Sequence, residues 1–259
     1  MQEKLHTIPV NEAFESGDEC PFCYLERETE EHIINYAIGP GASYMELDVR
    51  ATTDEEGFCR KHLKSMFDYG NALGCSLILQ THYIGMLREL KEQLDQWDMP
   101  PKKSLFRKKT SPAPENALEA WLQKREESCF ICRRVEENRK RYYETFFALL
   151  KDAEFREKVE KSKGFCLRHF RELLENASEN LPGSHRQWFY QTVFSLMEEN
   201  LLRVKEDLDW FVAKNDYRNA NADWKNSRDA LARSMQKLQG LYPADPPYKS
   251  ADVGSKRKK

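Results

Sequence analysis

Two phrases, Cys20-Pro21-Phe22-Cys23 and Gly57-Phe58-Cys59-Arg60-Lys61-His62, decide the reading of this chain. They return as Cys129-Phe130-Ile131-Cys132 and Gly164-Phe165-Cys166-Leu167-Arg168-His169. A Cys-x-x-Cys pair places two thiolates within reach of one ion. Cys-x-x-His adds a third sulfur and an imidazole nitrogen, and three Cys with one His make a closed tetrahedral set, the usual form of a structural zinc site. Paired in sequence order, the phrases predict one site from Cys20, Cys23, Cys59 and His62 and another from Cys129, Cys132, Cys166 and His169. The stretches inside these knots are 35 and 33 residues long. Closing loops of that length is inexpensive, about 0.6 kcal/mol for each doubling.

One such pair would be a weak signal. Two quartets with matched spacing use six of the seven cysteines and two of the six histidines, which favours metal over buried unliganded thiols. The expected cofactors are two Zn2+ per chain. Iron–sulfur clusters are the alternative, since thiolate-rich sets hold those as well. The pairs sit at or just before helical patterns, where N–H groups and the helix dipole favour negative sulfur. Arg60, Lys61, Lys64, Arg133, Arg134, Arg168 and Arg171 stand nearby in sequence to balance charge.

At 259 residues the chain can bury one large core or two small ones. Its formal net charge of −2 is unevenly spread. Residues 1–98 carry a net −11 and the remainder +9, much of it in a linker and a tail. The first residues have no apolar signal-peptide core, and no apolar run reaches the length of a membrane span. A cytoplasmic location with reduced cysteines is expected, and it favours metal over disulfides.

The fold class expected is all-α: two tandem metal-knotted helical repeats, each a knot, a short helix and a long helix, forming a helical bundle. Residues 1–98 make the first repeat and 117–240 the second, which has an extra C-terminal helix. Between them, 99–116 is a basic Pro-rich linker, and 241–259 is a disordered basic tail. A lead-in over 1–19 has a short helix starting near Pro9 and Asn11. Helical patterns follow at 21–38, 59–69 and 73–97, the last carrying an apolar stripe from Leu73 to Trp97. In the second half they fall at 116–127, 130–150, 152–162, 166–175, 186–212 and 216–239. Lys91-Glu92-Gln93-Leu94-Asp95 lines up with Lys205-Glu206-Asp207-Leu208-Asp209, which reads as an internal duplication.

The acidic face of the 21–38 segment (Glu26, Glu28, Glu30, Glu31) reads as solvated. The stretch 39–56 reads as a long loop. Its Tyr44, Met45, Glu46, Asp48 and Arg50 are a candidate binding surface, weighed against a structural wrap over the metal. His82 and Cys75 read as packed or surface residues.

The opening Ile8-Pro9-Val10-Asn11-Glu12-Ala13-Phe14, the Cys20–Cys23 pair, the segment Tyr44-Met45-Glu46-Leu47-Asp48-Val49-Arg50 and Gly57–His62 together resemble an uncharacterised bacterial family, a domain of unknown function. The likeness covers most of the chain outside the linker and tail. Some members carry an automatic label of ABC-transporter substrate-binding protein. This chain lacks the alternating strand–helix pattern that such a two-lobed binder requires. The resemblance implies no activity.

Composition and motifs then leave a short set of functions. The first is a cytosolic, structurally zinc-bound helical protein that acts as an interaction or scaffold module, with an unknown protein partner or a second copy of itself. The second is an iron–sulfur protein in electron transfer or redox sensing. The third is an enzyme using the 39–56 loop beside the first metal. The closed ligand sets lean away from an enzyme. A zinc deaminase needs His-x-Glu, whereas His62 is followed by Leu63-Lys64 and His169 by Phe170-Arg171. Nucleic-acid contact through Lys102–Lys109 and Lys256–Lys259 is disfavoured by the acidic first half.

Overall fold

The structure is a computed structural model. It describes residues 2–98 and 116–240, with side chains from His6 onward. The expected basic linker, apart from Asn116, and the expected tail lie outside the described residues. Among those residues there are eleven α-helices, three one-turn 3-10 segments and no strand.

In chain order the helices are α1 (Gln2–Glu15), α2 (Pro21–Ile38), α3 (Leu47–Glu56), α4 (Arg60–Tyr69), α5 (Ala72–Asp95), α6 (Ala117–Glu127), α7 (Phe130–Leu149), α8 (Ala153–Lys161), α9 (Leu167–Asn180), α10 (Arg186–Lys214) and α11 (Ala230–Gln239). Local chemistry accounts for many of the boundaries. Pro21 opens α2, where its missing N–H is no loss. The Asn71, Asn116 and Asp152 side chains accept from the backbone N–H groups of Gly74, Glu119 and Glu154 and so cap α5, α6 and α8. Gly70 and Gly240, at φ 91° and 92°, close α4 and α11.

Three expectations need correction. The 39–56 stretch is no open loop: a 3-10 turn at Ser43–Met45 leads directly into α3. The lead-in is a helix from Gln2, continuous across Pro9. The last helix, expected over 216–239, occupies only its final ten residues. Upstream, Asp216 and Asp223 accept from the N–H two residues on (Arg218 and Lys225), so side-chain turns displace the helix.

The chain divides into two compact units, and neither is a sequence half. Among the described residues, unit 1 comprises those up to Thr29 and those from Glu136 onward, and unit 2 those between Glu30 and Val135. The boundary falls inside α2 and inside α7. Unit 1 is built on an aromatic core in which Val10 and Phe14 from α1 and Phe22 and Leu25 from α2 join Phe146, Phe147, Phe155, Phe165, Leu173, Phe189 and Val193. Unit 2 has a smaller core of Ile33, Ile34, Ala37, Ile38, Met66, Tyr69, Ile78, Phe130 and Ile131. The expected tandem arrangement of 1–98 and 117–240 is therefore replaced by two mixed units. The first part of α2 is apolar toward second-half helices. The first part of α7 is apolar toward first-half helices.

Candidate metal centres

Each unit contains one Cys/His group. In unit 1, Cys20 and Cys23 meet Cys166 and His169; in unit 2, Cys59 and His62 meet Cys129 and Cys132. In each group the four ligand atoms lie within 4.8 Å of one another. All eight residues singled out from the sequence come together, but the pairing is crossed: each Cys-x-x-Cys meets the Cys-x-x-His of the other half. The sequence-order knots do not form. Chain entropy barely opposes the crossing. Cys23 and Cys166 enclose about four times as many residues as Cys23 and Cys59, two doublings, or roughly 1.2 kcal/mol.

The two sites are built alike. Cys59 and Cys166 are the N-cap residues of α4 and α9, with ψ of 164° and 160°. Cys-x-x-His therefore lays one sulfur at the cap and the imidazole one turn in. The glycine two residues ahead of each cap is required by its backbone, since Gly57 and Gly164 have φ of 62° and 72°. At Gly164 a Cβ would also stand 3.2 Å from the Leu196 carbonyl oxygen. The intervening phenylalanine packs on its counterpart from the Cys-x-x-Cys phrase. Phe165 lies 5.9 Å from Phe22 between ring centroids, and Phe58 lies 6.0 Å from Phe130. In unit 2 the Phe130 N–H donates to the Gly57 carbonyl at 2.9 Å, tying the two phrases together. Backbone N–H groups reach the sulfurs as well: His169 N–H to Cys166 Sγ at 3.4 Å, and Cys132 N–H to Cys129 Sγ at 3.5 Å.

The donor set fits a single tetrahedral ion. Bonds of about 2.3 Å to sulfur and 2.0–2.1 Å to nitrogen give S–S edges of about 3.8 Å and S–N edges of about 3.5 Å. The S–S separations are 3.7 Å for Cys23–Cys166 and 3.7 Å for Cys59–Cys132. In unit 1 the His169 Nδ1 separations are 3.3 Å to Cys20, 3.4 Å to Cys23 and 3.3 Å to Cys166. In unit 2, His62 Nδ1 lies 3.3 Å from each of its three sulfurs. In both sites Nδ1 faces the cluster and Nε2 points away.

Behind each Nε2 stands a glutamate from α2. Glu30 Oε1 lies 3.0 Å from His62 Nε2, and Lys61 Nζ holds the other carboxylate oxygen at 2.7 Å. Glu26 Oε2 lies 3.4 Å from His169 Nε2, an approach too poorly aligned for a hydrogen bond. Glu26 is fixed in turn by Arg139 at 3.0 Å and Arg168 at 2.8 Å. Such carboxylate–histidine pairs orient the ring and raise its basicity toward a metal. The α2 acidic face, expected to be solvated, thus carries both histidine partners. Glu30 is 6% exposed. The signal was in the spacing: Glu26 follows Cys23 by three residues, and Glu30 follows Glu26 by one turn.

Contacts within each group shift the titration of its donors. Burial pulls the His62 imidazole down, but contact with Cys129 and Glu30 outweighs it and lifts the group to about 9. His169 rises to about 10, as Cys20 and Glu26 overcome its burial. Hydrogen bonds from Cys20 and Cys23 hold the Cys166 thiol at about 4, while the same contacts push Cys23 up. Burial raises Cys129, yet the His62 contact and the Cys132 N–H bring it to about 6. Cys132 is pushed up by burial and by its neighbouring sulfurs. Burial would raise Glu26 and Glu30, but their histidine and cation partners leave both below the ordinary carboxylate range.

The sites differ in cover. All four donors of unit 1 are buried; in unit 2, Cys59 is half-buried and Cys132 exposed. The cover on unit 1 is α11. A Cβ on its C-cap Gly240 would stand 3.3 Å from Cys166 Sγ and 3.5 Å from Cys23 Sγ. Lys237, 1% exposed, donates to the Glu19 carbonyl at 2.7 Å and to the Lys163 carbonyl, locking α11 beside the first cysteine.

None of the candidate loop residues belongs to either group. Tyr44 packs on the unit 2 core, and Arg50 donates to the Leu77 carbonyl at 3.0 Å. Met45 is exposed, Glu46 sits at the N-cap position of α3 with no capping bond from its side chain, and Asp48 lies in the first turn. Cys75 Sγ contacts the Met66 carbonyl, and His82 Nδ1 lies 3.0 Å from the Asp54 carbonyl.

An all-helical chain with two crossed Cys3His groups is the class of protein that the fold and the sites define. This chain belongs to the family of unknown function DUF6062, which matches residues 1–245. Neither a curated protein nor a solved structure matches it.

Proposed function

We propose that each group holds one zinc ion in a structural role and that the protein is a cytoplasmic, non-enzymatic interaction module. The observation that carries this reading is the set of tetrahedral edges. Four donor atoms within 4.8 Å of one another have the spacing that suits one ion, whereas an iron–sulfur cluster shares its ligands among several irons. Three cysteines and a histidine leave no open position for water or substrate. All seven cysteines are free thiols, as a reducing compartment requires. No described helix is long and apolar enough to cross a membrane. Zinc in such a role contributes roughly 10–16 kcal/mol in small domains, comparable to the net stability of a whole domain. The test is metal analysis of protein purified without oxygen, followed by chelation. Two zinc per chain, no visible absorption, and loss of helicity on metal removal are expected. A brown preparation containing iron and sulfide overturns it.

The partner that suits the exposed surface best is a second copy meeting it along α5. Ile84, Leu87 and Leu94 are 64%, 56% and 54% exposed on that helix. In an antiparallel pair centred between Ile84 and Leu87, those two residues face each other and Leu77 faces Leu94. Gln80 then faces Lys91, and Tyr83 faces Arg88, so apolar positions meet apolar ones and the cation finds a ring. Sedimentation of the zinc-loaded chain should give a dimer that Ile84→Glu with Leu87→Glu converts to monomer. A wild-type monomer at tens of micromolar rejects the self-pairing while leaving the metal reading intact.

A further inference from the structure

The unequal cover of the two groups divides their chemistry. In unit 1 the three sulfurs are 0–4% exposed, and the α11 backbone closes over two of them. In unit 2, Cys132 is exposed and Cys59 half-buried, while Cys129 and His62 lie inside. The backbone N–H that reaches a sulfur of this pair of helices goes to Cys129, the inner cysteine. Cys132 Sγ lies 3.7 Å from Cys59 Sγ and 3.3 Å from His62 Nδ1, both of them cluster atoms. Its outward side is open to small reagents. A metal-bound sulfur with solvent access is the one that an oxidant reaches first.

We propose that Cys132 is an oxidation site, and that a peroxide joins it to Cys59 and expels the unit 2 ion while the unit 1 ion stays bound. This rests on the metal reading above. The Cys132 thiolate attacks one peroxide oxygen, the O–O bond breaks, and hydroxide leaves, giving a sulfenic acid. The Cys59 thiolate then attacks that sulfur. An S–S bond forms, and the sulfenic oxygen departs as a second hydroxide. Two sulfurs lose two electrons in all, the peroxide gains them, and two protons from solvent convert both hydroxides to water. The ion keeps only Cys129 and His62 and dissociates. The result is a zinc-releasing redox response confined to one unit, with the other unit as its built-in control.

The test uses the full zinc-loaded chain and hydrogen peroxide, with released zinc followed by a chromophoric chelator. About one zinc per chain should leave in a first phase, at least tenfold faster than the second. Tryptic mapping after that phase should show residues 51–60 linked to residues 126–133, and fragmentation of the linked pair should place the bond on Cys132 and leave Cys129 of the same peptide reduced, with Cys20, Cys23 and Cys166 still reduced. A thiol reductant with added zinc should restore two ions. No substitution is needed, so misfolding of a variant cannot obscure the result. Two ions leaving together, or oxidation appearing first at Cys20, Cys23 or Cys166, overturns the inference and spares the metal reading. A purified chain that binds no metal removes both.

Discussion

Single side chains set the chemistry of both sites, and the residues behind the ligands matter nearly as much as the ligands. Glu30 accepts from His62 at Nε2 and is itself held by Lys61. Replacing it by Gln keeps the shape and removes the charge, and Glu26→Gln does the same behind His169. Each change should weaken zinc at its own site by about 10- to 100-fold, with helicity retained, as chelator competition would measure. The histidines also give a pH dependence of definite sign. Their raised positions favour the imidazolium of the metal-free fold. That contribution is full below about 6.5, the ordinary histidine value, and fades as pH rises through about 9 for His62 and about 10 for His169. Zinc needs the neutral ring, so the bound form responds oppositely. Its apparent affinity should rise tenfold or more per pH unit from pH 6 to 8, since more than one proton leaves per ion. A flat profile would contradict this.

At the level of elements, helix termini build the sites. The Gly-Phe-Cys phrase works because three requirements coincide: a backbone at positive φ, a ring against its partner ring, and a sulfur at an N-cap. Gly57→Ala and Gly164→Ala should each destabilise the zinc-loaded protein by about 1–3 kcal/mol in thermal or denaturant melts. Gly164 is the more sensitive, because a Cβ there presses on the α10 backbone, whereas at Gly57 it meets the His82 side chain, which can turn aside. The element that distinguishes the two sites is α11, whose C-cap Gly240 closes over two of the unit 1 sulfurs. Lys237→Met removes the donor that ties α11 to the carbonyls of Glu19 and Lys163. The unit 1 ion should then exchange with a chelator several-fold faster, measured as the slow phase of zinc release, while the unit 2 ion is unaffected.

For the whole molecule, the crossed pairing gives a stoichiometric test. Cys20 and Cys166 belong to one group, whereas Cys20 and Cys59 belong to two different ones. Cys20→Ser with Cys166→Ser should therefore keep about one zinc per chain, and Cys20→Ser with Cys59→Ser should lose both. Sequence-order knots would give the reverse, so metal analysis of the two purified variants decides between the arrangements. The crossing ties segments 143 positions apart in unit 1 (Cys23 and Cys166) and 73 apart in unit 2 (Cys59 and Cys132), so emptying a group should loosen both of the segments it joins.

The helices and the eight ligands could be read from the chain itself, because both depend on local order: apolar spacing of three and four, caps, and cysteines or histidines one turn apart. Short-range chemistry also hid things. The 39–56 stretch lacked a strong apolar stripe and read as a loop, although α3 forms there against α5. The stretch before α11 looked helical until the Asp216 and Asp223 side chains took its backbone donors. Glu26 and Glu30 looked like solvent-facing acids, since their histidine partners are far away in the chain. The choice of which cysteine pair meets which histidine was beyond any pattern in the letters. Loop closure changes too slowly with length to enforce it, and the burial of Phe22 among second-half aromatics and of Phe130 beside first-half helices settles it. The sequence therefore determined the donors and their helices, and tertiary packing alone decided their pairing, because only packing senses residues remote along the chain.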